Sequence, residues 1–134
     1  MRGFKYITSL AGRIRHPVLT KGKGKGKGKG GITSPILKPT QIVNFPIQST
    51  CTDYLETSVR LLSEYIRKYK IPARIVLTAH DEILVECPAD IAPQIVQLVE
   101  DIMVVAAQKI TEPILPNAPL EVDTAIGNSW ADKP

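Results

Sequence analysis

From Asn44 onward, apolar side chains recur at intervals of three and four, at Ile47, Cys51, Tyr54, Leu55, Val59, Leu62, Tyr65, Ile66 and Tyr69. That spacing predicts a long helix with one apolar face. Asn44 is expected to cap its start and Pro46 to lie in its first turn, while Arg67, Lys68 and Lys70 suit the negative end of the helix dipole before Pro72 closes it. In this register the tyrosines are expected to pack in the core rather than to stack on bases. A second run, Ile91, Ile95, Leu98, Val99, Ile102, Ala106 and Ile110, predicts another amphipathic helix, capped by Asp90 and structural in role. Between the two, Arg74–Ala79 and Ile83–Cys87 are rich in β-branched and aliphatic residues and flank His80-Asp81-Glu82. They read as a β-hairpin of two buried strands with its acids at the turn. Phe4 to Leu10 alternates like a strand before a turn at Gly12, and Leu120 to Ile126 sets Leu120, Val122, Thr124 and Ile126 against Glu121, Asp123 and Ala125. The expected fold class is α+β, with an antiparallel sheet backed by two long amphipathic helices.

Composition adds little to the fold and something to the chemistry. A chain of 134 residues, 43% hydrophobic, can bury a core of its own, so one domain is expected. Seventeen basic residues against thirteen acidic give a formal charge of +4, which suits a partner carrying phosphates. Cys51 and Cys87 have neither a CxxC spacing nor neighbouring histidines, and both are expected to be small core residues of a reduced, cytoplasmic protein. No run approaches the roughly 18 apolar residues of a membrane span. Residues 20 to 31 hold an alternating Lys-Gly tract, with lysines at 21, 23, 25, 27 and 29. Glycine and mutually repelling lysines predict a disordered loop, either a plain linker or a grip on phosphates. The tract is no Walker A loop, because no Gly-Lys pair is followed by Ser or Thr.

The acids at the hairpin turn are the first chemical signal. Adjacent carboxylates repel unless a cation, a proton or solvent relieves them. A hard ion such as Mg²⁺ takes carboxylate oxygens together with substrate phosphates and keeps several waters, so one or two carboxylates make a reasonable share of its site. A solvated polar turn is the other reading of the same tripeptide.

Four motifs in order are more specific than one. Asn44-Phe-Pro-Ile-Gln-Ser-Thr50 at a helix start, Ala79-His-Asp-Glu82 at a hairpin, and Pro119-Leu-Glu-Val122 leading through Gly127 to Trp130 follow one another, after Arg2-Gly-Phe-Lys-Tyr-Ile-Thr-Ser-Leu-Ala-Gly-Arg-Ile-Arg15. The succession resembles the C-terminal part of the palm in family A DNA polymerases, the bacterial polymerase I type, over nearly the whole chain apart from residues 16 to 40. Its hairpin would be that family's motif C. Thr40 stands where family members usually carry an arginine that holds the primer strand, and Lys38 is the nearest cation.

The resemblance implies template-directed transfer of deoxynucleotides to a primer 3′-hydroxyl, in replication or repair. It implies primer-template DNA and deoxynucleoside triphosphates as partners, and two Mg²⁺ ions as cofactors. Asp81 would be a metal ligand, Glu82 a supporting acid beside the primer end, and His80 a contact to the primer terminus. Asn44 and Gln48 would hold primer and template, with Gln48 probing the minor groove of new base pairs, whose acceptors are present on every pair. Arg13 and Arg15 would contact the backbone. The family's first catalytic acid and its triphosphate-binding helix are absent from the 134 residues, so a separate segment would have to supply them and this chain alone is expected to be inactive. A non-catalytic nucleic-acid-binding module with a palm fold is the alternative. A small phosphohydrolase using Asp81 and Glu82 is a third reading, and the missing carboxylate argues against it.

Overall fold

Two helices organise the chain. The computed structural model describes residues 6–17, 39–117 and 119–132, and the Lys-Gly tract lies outside them. The element order is β1 (Ile7–Thr8), β2 (Ile14–Arg15), α1 (Pro39–Tyr69), β3 (Arg74–Ala79), β4 (Glu82–Glu86) and α2 (Ala92–Thr111). Strands pair antiparallel within two separate two-stranded sheets, β1 with β2 and β3 with β4. The architecture is thus α+β, as the hydrophobic periods predict. The chain divides into two compact units, Met1–Thr50 and Cys51–Pro134. No helix among the described residues is long and apolar enough to cross a membrane.

In the first unit, β1 and β2 form a short hairpin closed by hydrogen bonds around Ser9. The Ser9 amide donates to the Arg13 carbonyl at 2.9 Å, the Gly12 amide to the Ser9 carbonyl at 3.1 Å, and the Arg13 amide to the Ser9 hydroxyl at 3.0 Å. Gly12 sits at φ +87° with open space where a Cβ would be, so glycine is required there by backbone conformation, not by crowding. The same unit contains the first turns of α1. That helix starts at Pro39, five residues before the expected cap, so Asn44 lies in its interior and Pro46 is an internal proline. An internal proline removes one ladder donor, the one that would serve the Ile42 carbonyl. The side chains that follow it bond backward: the Ser49 hydroxyl donates to the Phe45 carbonyl, and the Thr50 hydroxyl to the Pro46 carbonyl at 2.6 Å.

The core of the second unit is Leu62 from α1 with Ile95 and Val99 from α2, ringed by Ile66, Ile71, Ile75, Ile83, Val85, Leu98 and Ile102. The α2 stripe is therefore the inner face expected of it. The helix starts differently, since a 3₁₀ turn at Ala89–Ile91 precedes it, Ile91 occupies its N-cap, and neither start has a side-chain cap bond. Asp90 caps nothing; Pro93 near the start of α2 supplies the preset φ instead. At its far end α1 stops before Lys70, which lies at φ 50°, and the Ile71 amide returns to the Ile66 carbonyl at 3.1 Å. This is the Schellman closure of a helix, with Ile71 packed on the core.

Other expectations fail for physical reasons. The β3–β4 ribbon buries only one face: Ile75, Ile83 and Val85 pack inward, whereas Val76 and Leu77 are 46% and 39% exposed. Residues 120–126 form no ladder, because alternation supplies a wet and a dry face but not a neighbouring strand; Thr124 instead donates to Glu100 of α2 at 2.6 Å. Tyr65 and Tyr69 are exposed, with ring centroids 4.4 Å apart, so they pack on each other along the helix surface rather than in the core. Cys51 is exposed too, while Cys87 is half-buried against the core; both are free thiols. Near the C-terminus, the Asp132 carboxylate accepts from the Asn128 and Ser129 amides at 2.9 and 3.0 Å. Its Cβ would approach a Cβ at position 127 to 2.7 Å, which is why Gly127 precedes that turn.

Candidate functional site

The seven residues singled out from the sequence fall into two groups, one in each unit. His80, Asp81 and Glu82 belong to the β3–β4 hairpin. Its register pairs Ala79 with Glu82, which leaves a two-residue turn of His80 and Asp81. His80 sits at φ 54°, a conformation costly for any residue with a Cβ. All three side chains are exposed at this end of the ribbon. Further along, an extra residue lies between Ile75 and Leu77 opposite the Val85–Leu84 step, a bulge that raises the local twist. At the other end Arg74 bonds Glu86 at 2.8–2.9 Å, an exposed pair that adds little stability but marks the register.

Asp81 closes the turn and Glu82 opens β4, with their Cα atoms about 3.8 Å apart across one peptide bond. Among the described residues no three His, Cys, Asp or Glu side chains come together as a potential metal cage. The hairpin's acidic donors are the neighbouring carboxylates of Asp81 and Glu82, not a converged set of three. That donor set suits a hard divalent ion that takes its other ligands from water and phosphate, and it does not suit a structural zinc, which needs four protein ligands.

The first unit holds the other group. Asn44 and Gln48, four residues apart, share one exposed stripe of α1, while Ser49 and Thr50 are buried. Arg13 is exposed at the base of the β1–β2 turn, and Arg15 ends β2 half-buried, with its guanidinium carbon 5.6 Å from the Phe45 ring centroid. A cation over a ring face at this distance is drawn by the ring's negative face. The turn is tied to the helix by the Leu10 amide, which donates to the Thr50 hydroxyl at 3.1 Å. Two amides and two arginines of this unit are thus carried on elements that are bonded to each other. Phe45 and Thr50 went unnoticed in the sequence except as letters of a motif. The available signal was a hydroxyl residue four places after a proline, placed to bond backward.

Among the described residues, Tyr54 departs from its ordinary titration. Burial pushes the Tyr54 hydroxyl above its usual value of 10.0, and the neighbouring Cys51 adds to the rise, so this phenol stays protonated.

Comparison with known proteins gives these positions a context. The family model described as DNA polymerase family A matches residues 4–132. The chain is 31% identical over 129 residues to the DNA polymerase I of Aquifex aeolicus, covering 96% of this chain and 22% of that protein. It is 34% identical over 97 residues to the DNA polymerase theta of Caenorhabditis elegans, covering 67% of this chain and 5% of that protein. Against the thermostable DNA polymerase I of Thermus thermophilus it is 31% identical over 88 residues, or 65% of this chain and 9% of that protein. The chain thus spans about a fifth of the length of these relatives or less. No solved structure matches it significantly. A family match that runs almost from end to end, over a chain that carries the ordered motifs, means that this chain belongs to DNA polymerase family A.

Proposed function

We propose that the chain is the C-terminal palm segment of a DNA-directed DNA polymerase, that it contributes part of the active site, and that a further segment supplies the rest. The observation that carries this reading is the β3–β4 hairpin, whose two-residue turn of His80 and Asp81, with Glu82 opening β4, lies at one exposed end of a ribbon, in a chain of this family. Asp81 is the ligand for Mg²⁺ on this chain. When bound there, with a second ion, Mg²⁺ supplies charge stabilisation of the attacking and leaving oxygens in transfer to a primer 3′-hydroxyl. Glu82 supports that centre beside the primer end. His80, fixed by its backbone, contacts the primer terminus and aligns the hydroxyl.

The first unit serves the duplex. Arg13 and Arg15 take backbone phosphates, for which the planar guanidinium is well shaped. Asn44 and Gln48 reach the base edges of primer and template. An amide donor finds an acceptor in the minor groove of every correct pair, so Gln48 tests pair geometry without selecting sequence. Deoxynucleoside triphosphate is held mainly by the further segment, since the arginines assigned here serve backbone phosphates.

The test is primer extension with and without the missing polymerase segment in trans. The pure chain with Mg²⁺ is expected not to extend a primed template. With the segment added, Asp81→Asn is expected to abolish synthesis while leaving the fold intact, since a lost metal ligand removes several kcal/mol of transition-state stabilisation and about 1.4 kcal/mol is tenfold in rate. Near-normal synthesis by that variant would take Asp81 off the list. Extension by the chain alone would overturn the divided site. Duplex binding without synthesis in any combination would favour a non-catalytic palm-fold binding module.

A further inference from the structure

The Thr50 hydroxyl makes two hydrogen bonds of opposite sense. It donates to the Pro46 carbonyl at 2.6 Å and accepts from the Leu10 amide at 3.1 Å. The residue is 5% exposed, so water does not readily replace either partner. Leu10 stands inside the turn whose Ser9 bonds set the position of Arg13, and β2 continues directly to Arg15. Pro46 is one residue from Phe45, over whose ring the Arg15 guanidinium lies, and falls between Asn44 and Gln48. A single buried oxygen thus joins the arginine hairpin to the helical segment that carries the two amides.

We infer that Thr50, with Phe45, is a positioning residue: it fixes the spacing between Arg13 and Arg15 on one side and Asn44 and Gln48 on the other, so that both pairs meet one duplex at once. The inference rests on the DNA reading proposed above. Thr50 itself touches no DNA. A rigid spacing matters because phosphate contacts set register and base-edge contacts report on pairing, and neither set works in the wrong register. The proline leaves the Ile42 carbonyl without its ladder donor, and the backward bond from Thr50 to the Pro46 carbonyl fixes the side-chain rotamer that presents the oxygen to Leu10.

Three variants of the full chain separate this role from a merely structural one. Thr50→Val keeps the shape and loses both bonds, Thr50→Ser keeps the hydroxyl, and Phe45→Leu removes the ring beneath Arg15 while keeping apolar volume. Two readouts apply: hydrogen exchange at the Leu10 amide, and the salt dependence of affinity for a primer-template duplex. Thr50→Val should speed Leu10 exchange on the order of tenfold or more as the turn is released. It should also flatten the slope of log affinity against log salt by roughly 0.9 to 1.8, the loss of one or two phosphate contacts at about 0.9 each. Thr50→Ser should restore both. Phe45→Leu should flatten the slope by about 0.9 with the Leu10 amide still protected. In a double variant with Arg15→Gln, the slope lost to Thr50→Val should be smaller than in the otherwise unaltered chain.

Binding by the unaltered chain with the same slope in every variant would overturn the positioning role and leave the DNA reading standing. No duplex binding by the unaltered chain would overturn both. An unprotected Leu10 amide in the unaltered chain would remove the bracket itself.

Discussion

The backbone at His80 offers a test in which the sign of an effect, not merely its size, is at stake. At an ordinary position glycine is less stable than alanine by about 0.5–1 kcal/mol, because it loses more freedom on folding. Position 80 lies at φ 54°, where a side chain bearing a Cβ costs roughly 1–2 kcal/mol that glycine avoids. The difference leaves glycine ahead of alanine by about 0.5–1 kcal/mol, so the order of the two variants should invert. His80→Gly should melt a few degrees above His80→Ala, at about 4 °C per kcal/mol for a domain of this size. Lys70, at φ 50° in the closure of α1, is the internal comparison: Lys70→Gly should gain similarly over Lys70→Ala. In primer extension with the missing segment, both substitutions at 80 should be equally poor because both lack the imidazole, whereas both at 70 should be neutral. Thermal denaturation and extension rates on the four variants suffice. Alanine equal to or above glycine at position 80 would refute the left-handed turn, and retained synthesis by His80→Gly alone would show that the turn matters and the imidazole does not.

Gln48→Ala should weaken extension and blur discrimination at mismatched primer ends, at roughly 1–3 kcal/mol for lost base-edge contact, with melting nearly unchanged because the position is exposed; lower stability with unchanged extension would return Gln48 to the scaffold. Leu62→Ala should cost about 2–5 kcal/mol, since Leu62 is 1% exposed and packs with Ile95 and Val99. A loss below about 1 kcal/mol in denaturant titration would contradict that core.

Periodic stretches were legible because burial follows period. Ile95 and Val99 fall where a 3.6-residue stripe places them, and the hairpin falls where two β-branched runs flank a polar tripeptide. Element ends were less legible. Asn44 has the chemistry of a cap, but the cap exists only if the preceding residues leave the helix, and Pro39–Val43 do not. Asp90 failed likewise, displaced by a 3₁₀ turn. The alternation of 120–126 describes a segment with two unlike faces, and only a neighbour decides whether that segment joins a sheet. Within the candidate site, His80, Asp81 and Glu82 were visible as chemistry at a turn. The bond from Leu10 to Thr50 spans forty residues and leaves no mark on either local pattern.

The exposed face of the β3–β4 ribbon bears on how the chain behaves when made alone. Among the described residues β3 and β4 pair only with each other, and β3 exposes Val76 and Leu77 on the ribbon's outer face, a combination that invites strand-to-strand aggregation between copies. The charges at its ends, Arg74 with Glu86 and Glu82 beside the turn, act as gatekeepers that disfavour stacking in extended arrays. Solubility during recombinant expression should therefore depend on those three residues more than on the core, and neutralising them should drive the chain into inclusion bodies without lowering its melting temperature much.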